Sequence, residues 1–186
     1  MAPYEIRMIG DPVLKQVAAD VTDIDGRLAR LADDMITTLY GAAGLGLAAP
    51  QVGVQRRMFV YDLHDERGPH VLINPEITES DGEWVYEEGC LSVPGLAWEI
   101  VRPKQVHVTG IDLDGNEVSI EADEVAGRMF QHELDHLNGV LLLERLQPED
   151  RKAAKRAVRE LMTGMAPAGG PTSAPSTGAS RGVSLR

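Results

Sequence analysis

Two histidines four residues apart form the pattern in this chain that is best suited to chemistry. They are His132 and His136 of the segment His-Glu-Leu-Asp-His. On a helix this spacing places both imidazoles on the same face, where both can bind one metal ion. Glu133 lies beside them and can take a proton from a water that the metal activates. The pattern therefore predicts a catalytic metal site on a helix, with Glu133 as the general base.

The helical wheel of this segment supports the same interpretation. An apolar arc is formed by Val125, Ala126, Met129, Phe130, Leu134 and Leu137. His132 and His136 lie at the edge of this arc, and Glu133 points near its middle. A carboxylate in an apolar environment is costly unless its charge is compensated, and a metal with its bound water would compensate it. Asp135 points away from the arc, which indicates either a surface position or a supporting role behind the ligands.

A catalytic site of this kind usually has a third protein ligand and one open position. In many peptidases with this motif the third ligand lies downstream as His or Glu, and no histidine follows His136. Cys90 is the stronger candidate, because a thiolate and two imidazoles suit a divalent first-row metal. Glu160 is the alternative and would make the chain a zinc peptidase. Its simpler interpretation is a surface charge on a solvated helix face.

Three helices and several short strands are predicted to position these residues. An amphipathic N-terminal helix is expected at 25–40, the metal-binding helix at 123–139 and a C-terminal helix at 148–162. Strands are expected at 57–62, 70–74, 82–88, 98–102, 104–113 and 117–121. The connections are short, and Asp114-Gly115 is typical of a hairpin turn, so the strands should pair mostly antiparallel. The predicted class is α+β, with short antiparallel sheets packed around a central helix that carries the His-Glu-x-x-His motif.

Length and composition limit the remaining possibilities. The chain has 186 residues, a net charge of −11 and one cysteine, so no internal disulfide can form. One catalytic domain is expected at 1–163, and the Gly-, Pro- and Ser-rich stretch 164–186 is expected to be a disordered tail. The excess of acidic over basic residues argues against a DNA-binding protein, because binding to phosphates requires clustered positive charge. No apolar run suggests a membrane span or a signal peptide, so a cytoplasmic protein without a membrane partner is expected.

Three further segments of the chain belong together, and they are Gly44-Leu45-Gly46-Leu47-Ala48-Ala49-Pro50-Gln51, Glu88-Gly89-Cys90-Leu91-Ser92 and Gln131-His132-Glu133-Leu134-Asp135-His136-Leu137. In this order they resemble the segments of the peptide deformylase family. The likeness extends over about residues 3 to 162 and includes the N-terminal segment Asp11-Pro12-Val13-Leu14 and the pair Val101-Arg102.

The resemblance implies removal of the formyl group from the N-terminal formyl-methionine of nascent proteins, with release of formate. By this resemblance, a metal-bound hydroxide attacks the formyl carbon, and Glu133 acts as general base and then as proton donor. It assigns Gln51 and the backbone N–H of Leu91 to the oxyanion site and lets Gly46 line the cleft with its backbone. The implied metal ligands are Cys90, His132 and His136. The implied metal is one ferrous ion per chain, which nickel, cobalt or zinc can replace. A second alternative is a non-catalytic metal-binding module, but such a module needs neither Glu133 nor Gln51.

The remaining expectations concern binding surfaces. Leu45, Val125 and Met129 are the candidates for the pocket of the methionine side chain. Arg128 lies close to them in sequence and can meet either a peptide carbonyl or solvent. Glu88 and Arg102 either pair and brace the cysteine segment or are independent surface charges. The basic C-terminal helix can face ribosomal RNA, and the alternative is an ordinary solvated face. Its cations are Arg151, Lys152, Lys155, Arg156 and Arg159.

Overall fold

The computed structural model describes residues 4–164 and 184–185. Three α-helices lie within these residues: α1 Gly26–Ala42, α2 Glu124–Leu137 and α3 Arg151–Met162. Short 3-10 helices occur at Pro12–Lys15, Ala49–Val52 and Leu142–Glu144. The strands are β1 Gly46–Ala48, β2 Met58–Tyr61, β3 His70–Asp81, β4 Trp84–Gly89, β5 Ala97–Arg102, β6 Gln105–Ile111, β7 Glu117–Asp123 and β8 Ser184–Leu185. The predicted α+β class is confirmed.

The strands form a six-stranded sheet in the order β1-β2-β3-β6-β7-β8 and a separate hairpin of β4 and β5. All neighbouring strands pair antiparallel, as the short connections predicted. The strand β3 is longer than the predicted 70–74, because its second half pairs with β6. Most of the stretch 164–186, expected to be disordered, lies outside the described residues. Ser184–Leu185 pair with β7, where the sequence predicted no strand.

The six-stranded sheet is covered by one helix on each face. Successive residues of β2 point to opposite faces, as strand geometry requires. Met58 belongs to the apolar cluster that contains the buried side chains of α1, and Phe59 belongs to the cluster that contains those of α2. The β4–β5 hairpin instead packs through Ile100 against α3. The helix α2 therefore lies between the large sheet and the hairpin, where residues from both can reach it.

Local sequence signals explain where these helices begin and end. The side chain of Asp25 accepts hydrogen bonds from the backbone N–H groups of Arg27 and Leu28, which caps α1. The helix α3 begins at Arg151 and not at residue 148, because residues up to Asp150 form a turn. Within α2, a Cβ on Gly127 would lie 3.0 Å from the carbonyl oxygen of Ala122, so glycine permits the helix to pack closely.

Within the described residues, no helix combines the length and the apolar character that crossing a membrane requires.

Candidate metal centre

Three side chains from two elements converge on one point. Cys90 directly follows β4, and His132 and His136 lie one turn apart on α2. Cys90 Sγ is 3.3 Å from His136 Nε2, which in turn is 3.2 Å from His132 Nε2. Within residues 4–164, one group of three or more His, Cys, Asp or Glu side chains has ligand atoms close enough together to share a metal ion. This group is Cys90, His132 and His136.

The spacing of these three atoms fits a metal ion. Donors held about 2.0–2.3 Å from a tetrahedral ion lie about 3.3–3.6 Å from one another, and the observed separations are 3.2 and 3.3 Å. The sulfur is also prepared to bind as thiolate. Burial alone raises the pKa of the Cys90 thiol, but the imidazoles of His136 and His132 outweigh burial and hold this pKa well below its usual range.

Glu88 orients the first histidine of the pair. Its Oε1 is 2.6 Å from His132 Nδ1, so Nδ1 donates the hydrogen bond and Nε2 presents its lone pair to the cluster. Glu88 is buried, and burial raises the pKa of its carboxyl group. The hydrogen bonds from Arg102 and His132 outweigh burial and hold the pKa of Glu88 far below its usual range. The sequence had left open whether Glu88 and Arg102 pair, and the structure shows that they do.

A network of buried charges continues outward from Glu88. Arg102 donates through Nε and Nη2 to Glu88, at 2.8 and 2.7 Å, and through Nη1 to Asp135 at 2.9 Å. Arg145 donates to the same Asp135 carboxylate. Asp135 is therefore a buried support of the site and not a surface residue. Arg128 completes the network by donating to Glu88 Oε2 at 2.8 Å. Arg128 is buried, donates from Nη2 to the backbone carbonyl of Trp84 at 2.7 Å and is also among the residues that line the cavity.

Glu133 lies beside the donor cluster and is 3% exposed. Its Oε2 has no hydrogen-bond partner in the described part of the chain, which is unusual for a buried carboxylate. Burial raises the pKa of Glu133 to about 7, although His132 and His136 act in the opposite direction. Gly46 lies directly against this side chain, because a Cβ added there would be 2.5 Å from Glu133 Oε1. Only glycine fits here without displacing the carboxylate.

Gln51 reaches the same point from the other side. Its Oε1 accepts a hydrogen bond of 2.9 Å from the backbone N–H of Ala48, which fixes the amide orientation. Its Nε2 consequently faces the cysteine segment, 3.1 Å from Ser92 Oγ and 3.8 Å from Cys90 Sγ. The side-chain amide is thus held as a donor beside the cluster. Leu91 follows Cys90 and lines the same cavity.

The comparisons with known proteins agree with this geometry. The sequence pattern that defines the family "Polypeptide deformylase" matches residues 3–152. A peptide deformylase of Thermodesulfovibrio yellowstonii is 46% identical over 159 residues, which cover 84% of this chain and 96% of the relative. That of Acidothermus cellulolyticus is 46% identical over 160 residues, covering 86% and 88%. This chain belongs to the peptide deformylase family. It is therefore a hydrolase, and the activity that the family supports is removal of N-terminal formyl groups.

Solved deformylase structures share the fold. The crystal structure of a Legionella pneumophila peptide deformylase superposes with a TM-score of 0.82 at 39% identity, covering 87% of this chain and 96% of that one. A peptide deformylase of Ehrlichia chaffeensis, solved in complex with actinonin, gives a TM-score of 0.80 at 37% identity, with 87% and 98% covered.

The deformylase cleft also contains the residues predicted for the side-chain pocket. Leu45, Val125, Met129 and Gly46 all line one cavity of about 1530 Å³ together with His132 and Glu133. Met129 is buried and Val125 is 42% exposed, so the first can form the floor of a pocket and the second its mouth.

The alternative third ligand is not part of the donor cluster. Glu160 lies on α3, and its carboxylate pairs with Arg156 at 2.9 Å. It is not among the residues whose ligand atoms converge. The zinc-peptidase alternative that depended on Glu160 therefore has no support in the geometry.

Several supporting residues could not be predicted from the sequence. Ser92, which holds the Gln51 amide, and Arg145, which supports Asp135, carry no local signal of their function. The aromatic pair Trp84 and Tyr86 stacks at 4.5 Å between ring centroids, and the Arg128 guanidinium lies 5.0 Å from the Trp84 centroid. Trp84 and Tyr86 are two residues apart and therefore lie on the same face of β4. This spacing was the one sequence feature that indicated side-chain packing on that face.

Proposed function

We propose that the chain hydrolyses the formyl–amide bond of formyl-methionyl nascent polypeptides in the cytoplasm, using one divalent metal ion. The observation that carries this proposal is the convergence of three metal donors, a buried carboxylate and an oriented amide in one cleft. A purely structural metal site needs neither the carboxylate nor the amide. The proposed ligands are Cys90, His132 and His136, and the proposed metal is Fe²⁺, with Zn²⁺, Ni²⁺ or Co²⁺ able to substitute.

When bound, the metal supplies Lewis-acid chemistry, because it lowers the pKa of a water to about 7 and polarises a carbonyl oxygen. The protein residues then carry the proton transfers. Glu133 takes a proton from the attacking water while the new C–O bond forms at the formyl carbon. As the C–N bond breaks, Glu133 returns this proton to the departing amine. The products are formate and a peptide with a free amino terminus.

The developing negative charge on the formyl oxygen requires preorganised donors. Gln51 is suited to this role because its amide is already fixed by Ala48 and Ser92. The backbone N–H of Leu91 is the second proposed donor. A donor that is held before the reaction need not reorganise during it, and loss of one such donor typically costs about a hundredfold in rate.

The edge of the large sheet provides a binding surface for the peptide backbone. The strand β1 is at the end of the strand order, and Gly44, Leu45 and Gly46 beside its free edge line the cavity. An extended peptide can add to such an edge as a further strand. The methionine side chain would then occupy the pocket that Leu45, Val125 and Met129 line.

The exposed face of α3 is a second proposed contact. Its lysine and arginine side chains are exposed, while Ala154 and Val158 of the opposite face are buried. Concentrated positive charge on an otherwise acidic protein suits ribosomal RNA. The alternative remains an ordinary solvated face. Co-sedimentation of the protein with ribosomes, measured over a range of salt concentrations, separates the two.

The proposed function is tested by an anaerobic assay on formyl-Met-Ala-Ser with iron-loaded protein, with formate as the measured product. We expect formate release and no cleavage of peptide bonds. The variant Glu133→Ala should retain the metal and lose turnover by about 10²–10⁴-fold. Peptide-bond cleavage without formate would overturn the proposal.

Because an Ehrlichia deformylase was solved with actinonin, we also expect actinonin to bind here and to compete with the formylated peptide.

A further inference from the structure

The N-terminal segment contacts both of the segments that carry the proposed oxyanion donors. We call residues 4–9 the N-terminal brace. Within it, the backbone N–H of Arg7 donates to the carbonyl oxygen of Gln51 at 2.7 Å, and that of Ile9 donates to the carbonyl oxygen of Ser92 at 2.9 Å. Gln51 and Ser92 are 41 positions apart in the chain. Two amides of one short segment therefore connect two distant parts of the site.

Gln51 and Ser92 also contact each other directly. Gln51 Nε2 donates to Ser92 Oγ at 3.1 Å, and both residues are buried. The brace therefore closes a ring of three hydrogen bonds, because it joins the main chains of two residues whose side chains already meet. Buried groups that lose a partner do not regain one from water, so this ring resists distortion. Leu91 directly precedes Ser92, and the ring thus includes the segment that carries the Leu91 N–H.

The brace is itself fixed to other elements of the fold. At its start, the backbone N–H of Tyr4 donates to Thr38 Oγ1 at 2.9 Å, and Thr38 is a buried residue of α1. In its middle, Ile6 packs against the apolar cluster that contains the buried side chains of α1. At its end, Ile9 is buried in the cluster that the hairpin shares with α3. The brace is thus anchored on both sides of the oxyanion site.

We propose that the N-terminal brace is a positioning element for the reaction. Through its bonds to Gln51 and Ser92, it fixes where the Gln51 amide lies relative to the Leu91 N–H. This inference rests on the proposed function, which makes these two groups the oxyanion donors. Such donors act only when they are already in place, so a shift of either segment lowers kcat even where the metal donors are intact.

The main test removes one N–H group and keeps the rest of the brace. Proline has no backbone N–H, so Arg7→Pro deletes the donor to Gln51, while the matched control Arg7→Ala deletes only the side chain. The assay uses full-length, metal-loaded protein and formyl-Met-Ala-Ser. We expect kcat of Arg7→Pro to fall by about tenfold or more, with KM altered by less than about twofold. Arg7→Ala should keep its kcat, since the ion pair of the exposed side chain with Asp11 is weak.

A second pair of variants tests the brace without proline. Thr38→Val removes the acceptor for the Tyr4 N–H, and Thr38→Ser keeps a hydroxyl at this position. We expect Thr38→Val to lower kcat by about threefold, because this bond reaches the site only through the brace. Thr38→Ser should recover the kcat of the unaltered protein. Metal content and thermal unfolding are measured for every variant, so that only folded and loaded proteins are compared.

A double-mutant cycle with Gln51→Ala separates positioning from general destabilisation. If the brace acts on the oxyanion site, Arg7→Pro should cost much less in kcat in the Gln51→Ala background, because one of the donors that it positions is already gone. If Arg7→Pro does not fold, Thr38→Val takes its place in the cycle.

Three outcomes would overturn the inference. They are an unaltered kcat in Arg7→Pro, an equal loss in Arg7→Ala, and a loss of the same size in both backgrounds of the cycle. The last of these would assign the brace a structural role alone. If the unaltered protein yields no formate from formyl-Met-Ala-Ser, the proposed function fails instead.

Discussion

Glu88 Oε1 lies 2.6 Å from His132 Nδ1, and this contact determines which nitrogen of the imidazole faces Cys90. The two residues are 44 positions apart in the chain, one on the hairpin and the other on α2. The carboxylate also accepts hydrogen bonds from Arg102 and Arg128. Glu88 thus ties the cysteine segment to the histidine helix and orients a proposed metal ligand.

The change Glu88→Gln should weaken metal binding and destabilise the fold. The orienting carboxylate is lost, and outer partners of metal-bound histidines typically contribute about 10–100-fold in affinity. Arg102 and Arg128 also lose a buried counter-charge, which should lower the free energy of unfolding by about 3 kcal/mol. Chelator competition and urea unfolding measure the two effects. The matched control is Glu79→Gln, an exposed carboxylate of β3. Unaltered metal affinity in Glu88→Gln would contradict the assigned role.

The change Gly46→Ala should reduce kcat by about tenfold or more, since small displacements of a catalytic group are costly. A Cβ at this position would lie 2.5 Å from Glu133 Oε1, so the carboxylate must move. Steady-state kinetics on formyl-Met-Ala-Ser provide the measurement. Gly41→Ala is the control, because a Cβ there has no neighbour within 4 Å. If both variants behave alike, the close approach of Gly46 to Glu133 has no catalytic consequence.

The changes Cys90→Ala and Glu160→Gln should affect metal binding in opposite ways. Cys90 Sγ lies in the donor cluster, whereas the Glu160 carboxylate pairs with Arg156. We expect Cys90→Ala to lose the metal and Glu160→Gln to keep it, as measured by metal content after anaerobic gel filtration. Retention of the metal in Cys90→Ala and its loss in Glu160→Gln would revive the peptidase alternative.

The change Tyr40→Phe should remove an acid-sensitive contribution to stability. The Tyr40 hydroxyl donates a 2.7 Å hydrogen bond to Asp62 Oδ2, which links α1 to the end of β2. This bond is the main cause that lowers the pKa of Asp62 in the folded state. Because the pKa of Asp62 is lower in the folded state, its carboxylate stabilises the fold fully at pH values above its unfolded pKa of about 4. This contribution is lost as the pH falls through the folded pKa.

Thermal unfolding from pH 7 to pH 3 tests this linkage. The melting temperature of Tyr40→Phe should be below that of the unaltered protein at pH 7, and the difference should begin to shrink as the pH falls below about 4. A difference that stays constant with pH would assign the effect of the hydroxyl to packing and not to the Asp62 carboxylate.

Much of the fold followed from local periodicity. The helix predicted at 123–139 was found at Glu124–Leu137, and the strand predicted at 98–102 at Ala97–Arg102. The predicted start of α3 was less accurate, since the helix begins at Arg151 and not at Pro148. A proline suits both the first turn of a helix and the turn before it. The length of β3 was underestimated because its polar second half is stabilised by pairing with β6, a contact distant in the sequence.

Of the candidate site, the sequence by itself determined the residue types and their local geometry. A spacing of four on a helix brings His132 and His136 together wherever the helix lies, and the apolar arc places Glu133 toward the interior. The tertiary structure alone decided which distant groups surround them. Gln51 meets Ser92 across 41 residues, and Glu88 meets Arg128 across 40. Such buried polar contacts depend on how the sheet, the hairpin and α2 pack, and no local pattern specifies them, because desolvated charges are satisfied only by whatever partner the packing brings within reach.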